Sequence, residues 1–101
     1  MAITAAGTAT VNYAKAFSGD GATKRELLIS CNDSDSTHAI QFRVVSAGAA
    51  APTGTGHMLP SPLTAAGSGG TGTHTVTLRT TGDVYVKRAA VADSTYIVTE
   101  G

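Results

Sequence analysis

Tryptophan is absent from this chain of 101 residues, cysteine occurs once, at Cys31, and charge is sparse. A lone cysteine excludes an internal disulfide. Charged residues make up 14% of the chain, against roughly 25% in ordinary soluble domains. Seven basic residues balance seven acidic ones, so no basic stripe exists to neutralise phosphates, and a nucleic-acid partner is not expected. A near-neutral coat of Thr, Ser, Ala and Gly also does little to repel other copies of itself.

Large apolar side chains are scarce as well. The apolar total of 42% is inflated by alanine; Leu, Ile, Val and Phe together make about a fifth of the chain. Burial stabilises by about 25 cal/mol per Å², and a small domain buries a smaller share of its surface. A monomer is therefore expected to be marginal, with self-association supplying the missing stability. No run approaches the roughly 20 apolar residues of a membrane span. The opening MAITAAGTATV has neither a basic n-region nor a long apolar stretch, so a secretory signal is not expected. The thiol suits synthesis in a reducing cytoplasm.

What is present is alternation of period two. Residues 8–17 read as a strand with Ala9, Val11, Tyr13 and Phe17 on one face and Lys15 as the exception. The turn SGDG at 18–21 ends it. Residues 24–31 place Leu27, Ile29 and Cys31 inward, and 39–47 place Ile40, Phe42 and Val44 inward; NDSDST at 32–37 is expected to join these two as a hairpin. Three strands close the chain: 74–80 with Val76 and Leu78 inward, 83–88 with Val84 and Val86 inward, and 95–99. Thr81-Gly82-Asp83 reads as a hairpin turn and 89–93 as a short connection.

Residues 48–72 form a Gly/Ala/Pro-rich stretch too long for an ordinary loop. Its one apolar island, HMLPSPL, suits an extended edge segment, since Pro60 and Pro62 forbid a helix interior. The reading is one all-β domain over 1–101: a compact antiparallel β-sandwich or barrel of about six to seven strands. Connections of Greek-key or meander type are expected, with residues 1–7 as a flexible N-terminal segment and 48–72 as one long loop.

Candidate chemistry is thin. GSGGTG at 67–72 matches a dinucleotide fingerprint by letter, but a strand follows where a helix is required, so it reads as a loop. NDSDST carries Asp33 and Asp35 without the glycine and distal glutamate of a calcium loop. His38, His57, His74 and Cys31 show no ligand spacing, and Cys31 sits on an inward face beside Ile29. No catalytic constellation, cofactor site or metal site is expected. Tyr85 lies opposite Val84 and Val86, next to Lys87 and Arg88, where an outward aromatic among cations would anchor an interface or pack across strands. With it, His57, Met58 and Leu59 complete the set of candidate interface residues.

The stretch 59–101 carries a resemblance. LPSPLTAAG leads to the Thr-rich HTVTLR, then Gly-Asp-Val-Tyr-Val-Lys-Arg, then Thr-Tyr-Ile-Val-Thr-Glu-Gly. This succession resembles the small β-proteins of tailed-bacteriophage virions, in particular capsid decoration, or cement, proteins. The resemblance implies a subunit on the capsid exterior that binds the major capsid protein, reinforces the shell and self-associates as a symmetric homo-oligomer, a trimer being favoured. Residues 1–7 and 48–72 would then contact neighbouring subunits. A head–tail connector or tail accessory protein, and a non-viral ligand-binding β-module, stay open beside it. No membrane partner is expected.

Overall fold

Among the described residues, eight strands wind into two four-stranded antiparallel sheets facing each other. The computed structural model describes residues 3–31, 39–60, 75–89 and 93–100. In chain order the strands are β1 (Ile3–Ala9), β2 (Ala14–Phe17), β3 (Arg25–Cys31), β4 (Ala39–Val45), β5 (His57–Pro60), β6 (Thr75–Thr80), β7 (Asp83–Arg88) and β8 (Ser94–Glu100). One sheet runs β1-β8-β3-β6 and the other β2-β7-β4-β5. We call them the first and second sheets.

The pairings are nested: β1 with β8, β2 with β7, β3 with β6 and β4 with β5, all antiparallel. This is a long hairpin folded back on itself, the jelly-roll wind of two Greek keys. Alternation then decides what is buried. Leu27, Ile29 and Cys31 of β3 and Val98 of β8 face Ile40, Phe42, Val84 and Val86 of β4 and β7, and these side chains form the core between the sheets.

Several sequence expectations give way here. Residues 8–17 are two strands, because the chain leaves the first sheet after Ala9 and enters the second at Ala14. Lys15, the exception in that alternation, marks a register shift between Lys15 and Phe17. A bulge adds one residue and reverses the face. Lys15 therefore pairs opposite Tyr85 on the outer side, while Phe17 packs against the core. Residues 3–7, expected to be a flexible segment, lie in β1 along β8.

The two expected hairpins are corrected as well. β3 and β4 lie in different sheets, so they do not pair across 32–37. β6 and β7 also lie in different sheets, and Thr81-Gly82 arches between them. A short link is compatible with an arch as well as with a hairpin, and the buried faces of both flanking strands are the same in either case. The apolar island of the long loop does form an edge strand, β5, paired to β4 from Ala39↔Pro60 to Phe42↔His57. Residues 32–38 and 61–74, which include GSGGTG, Asp33, Asp35, His38 and His74, lie outside the described residues.

Three connections meet at one end of the sandwich, and Asp83 joins them. Its carboxylate is 1% exposed and accepts the N–H of Gly19 at 2.9 Å and of Gly48 at 3.0 Å, with Lys15 Nζ at 3.2 Å. These backbone donors first, then the Lys15 ammonium, hold the Asp83 carboxyl below the usual carboxylate range. Asp20 in the neighbouring turn is held down to about 2 by the N–H groups of Thr23 and Ala22. A depressed carboxylate adds stability above its unfolded value, near 3.9 for aspartate, and loses it as pH falls through the folded value. Thermal melts should therefore be flat above about pH 5 and fall steeply between about pH 4 and 2. Asp83→Asn should melt lower at neutral pH and flatten much of that acid slope; a slope as steep as the parent's would assign the acid loss to other carboxylates.

Candidate functional site

The outer face of the second sheet is covered by its own chain. Residues 46–56, leading from β4 to β5, lie across it and are held by side chains from two strands, β4 and β7, and one connection. Asp83 receives Gly48 N, Gln41 Oε1 receives Gly56 N at 2.8 Å, Arg43 Nη1 donates to Thr53 O at 2.6 Å, and Tyr13 Oη donates to Gly54 O at 2.9 Å. Gly48 and Gly54 take positive φ values of 80° and 85°, the conformation that lets this uncharged strap turn and return.

Tyr85 is where the strap matters most for the candidate residues. Its ring points to the outer side, as alternation requires, yet it is only 8% exposed. Lys15 Nζ lies 5.8 Å above the ring and Tyr85 Oη lies 3.5 Å from Ala49 O. Tyr85 thus packs inside the monomer rather than presenting an exposed anchor. Lys87, two residues on, remains half-buried at the rim, its ammonium 5.0 Å from the Tyr13 ring centroid. Arg88 turns to the opposite side, bonded to Asp93 at 3.0 Å.

Beside Lys87 the strap leaves a recess of about 370 Å³, walled by Val11, Asn12 and Tyr13 on one side and residues 51–54 on the other. Burial pushes the Tyr13 hydroxyl pKa up, with Arg43 opposing, so Tyr13 stays a neutral donor to the strap. Sequence reasoning singled out Lys87 and missed Asn12, Pro52 and Thr53. These come from connections without periodicity, and only the fold brings them together.

His57, Met58 and Leu59 gather elsewhere. On β5, Leu59 is buried and Met58 is 60% exposed, while His57, at the start of the strand, is exposed. The His57 ring packs on Phe42 with centroids 5.3 Å apart. With Val44, Val76 and Leu78 they line an open apolar cleft of about 510 Å³ between the edge strands β5 and β6. The sequence candidates therefore do not share one surface: His57, Met58 and Leu59 line the edge cleft and Lys87 the face recess, while Tyr85 is buried under the strap and Arg88 is bonded to Asp93.

The outer face of the first sheet is a third surface. Leu28, 43% exposed, stands between Thr77 and Thr99 on the adjoining strands, and its flanking charges Glu26 and Arg79 lie 3.9 Å apart. Among the described residues no group of three His, Cys, Asp or Glu side chains is placed to hold a metal. No protein family model, curated protein or solved structure matches this chain.

Proposed function

We propose that this chain is a structural virion protein, a decoration subunit bound to the outer capsid surface through the major capsid protein. The observation that carries the reading is the jelly-roll wind of eight strands, an architecture shared by viral capsid and lectin domains. The wind supports this by fold-level analogy, and the surface adds to it. The stretch that resembles phage virion proteins, 59–101, supplies the end of β5 and all of β6, β7 and β8. Val11, Leu28, Val44 and Met58 are exposed on a chain with no net charge, a distribution suited to a subunit covered in an assembly. Binding to the folded state would also add stability to a thin core by mass action.

Quantitative mass spectrometry of purified particles from the source tests this. Near-lattice abundance relative to the major shell protein is expected. A few copies per particle would move the chain to the neck or tail, and absence from particles would end the virion reading. The edge cleft lined by Phe42, His57 and Leu59 favours a second reading, a β-module that takes an apolar ligand.

A further inference from the structure

The distribution of ion pairs singles out one part of the surface. Every described carboxylate has a basic partner within 4.0 Å: Asp20 and Glu100 with Arg25, Glu26 with Arg79, Asp83 with Lys15, and Asp93 with Arg88. Among the described residues this leaves Lys24, Arg43 and Lys87 without a carboxylate. Lys24 stands alone in the connection to β3. Arg43 and Lys87 both project from the outer face of the second sheet, where their positive charges flank Tyr13 on a chain with no net charge.

Lys87 is the better placed of the two. Arg43 is engaged, donating to Thr53 O and so shaping the recess wall. Lys87 instead lies against the face of the Tyr13 ring, a contact that steadies the ammonium and leaves its three N–H donors uncommitted. The recess beside it offers the Asn12 amide as a second polar group, and Val11, 59% exposed, as an apolar rim.

We infer that the recess between residues 11–13, residues 51–54 and Lys87 is a docking site for an acidic segment of a partner protein, one carboxylate meeting Lys87 and an adjacent apolar side chain covering Val11. Charge complementarity selects this occupant: among the described residues the recess is lined by one cation without a counter-charge, Lys87, with Arg43 behind its wall, and by no carboxylate. The inference does not rest on the virion reading, since the same recess would serve any partner with such a segment. Within that reading it would select an acidic loop of the shell surface.

Titrating isotope-labelled protein with an acetylated, amidated peptide of alternating aspartate and leucine, followed by amide NMR, tests the site. Saturable shifts are expected at Val11, Asn12, Tyr13, Thr53, Gly54 and Lys87. The peptide with asparagine in place of aspartate should bind about tenfold more weakly, and Lys87→Gln should lose about as much. Lys24→Gln removes the same net charge away from the recess and should leave the affinity unchanged. Its spectrum and that of Lys87→Gln, compared with the parent, show that both variants are folded. Absence of saturable binding, equal binding of the asparagine peptide, equal loss in Lys24→Gln, or shifts centred on another surface would overturn the proposal. Concentration-dependent shifts at these residues without peptide would overturn it too, by making a second copy the occupant.

Discussion

Gly82→Ala should lower the melting temperature by at least about 10 °C. That figure follows from an overpacking penalty of about 3 kcal/mol, at about 4–8 °C per kcal/mol for a domain of this size. Gly82 sits in the two-residue arch that carries the chain from β6 in the first sheet to β7 in the second. A methyl group there would be driven into the Val45 carbonyl, with the carbonyl carbon 3.0 Å away. Neither side has room to yield. Val45 is paired to Asp83 in the β4–β7 register, and Asp83 is fastened to Gly19 and Gly48. The Gly82 N–H is itself spoken for, donating to Thr80 Oγ1 at 2.9 Å. Gly48→Ala is the instructive comparison. Its φ of 80° disfavours alanine, but nothing lies within 4 Å of the added carbon, so a loss of about 1–2 kcal/mol is expected. Thermal melts ranking Gly48→Ala at or below Gly82→Ala would refute the tight-arch account.

Ile29→Ala should be comparably damaging for a different reason. Ile29 is fully buried at the centre of β3, a strand paired on both sides, with Val76 opposite on β6 and Val98 opposite on β8. Truncation at such a site removes buried methyl groups and leaves a cavity, together about 2–5 kcal/mol. Large apolar side chains are few in this chain, so few neighbours can collapse into the space. Small domains hold only about 5–15 kcal/mol in total, and the thin core argues for the lower end. A large fraction of the variant should therefore unfold in denaturant concentrations that leave the parent intact. Leu28→Ala, one residue away on the exposed face, should change stability by less than about 1 kcal/mol. Denaturant midpoints for the pair check the burial assignment, and similar midpoints would refute it.

The contrast between Ile29 and Leu28 shows how much of the fold is legible in the sequence. Alternation identified the buried faces of β3 and β7 and of β4 as far as Ile40 and Phe42, because one face of each strand meets the opposite sheet; Val44, expected inward, is exposed at the edge cleft. It also registered a break at Lys15, which the structure explains as a bulge. Partnership was not legible. Alternation reports the buried face and is silent about the neighbour, so the links at 32–37 and 81–83 read as hairpins although both cross between sheets. Tyr85 illustrates a further limit. Its outward direction followed from Val84 and Val86, but its burial depends on residues 46–56, an Ala/Gly/Thr segment whose sequence carries no period. Of the recess, only Lys87 was readable, since Tyr13 and Asn12 reach it through a change of sheet.

Nested pairing also constrains the order of events during synthesis. β8 is the inner neighbour of both β1 and β3, so the first sheet lacks a central member until the seven strands before β8 have been made. At synthesis rates of about 5–20 residues per second, β1 waits several seconds for its partner. β4 and β5, the innermost pair, can meet first, and each later pair must close a longer loop of chain. β1, made before the other seven strands, is thus among the last to find its place, and a chain stalled before β8 would leave unpaired the edges of β1 and β3 that β8 joins.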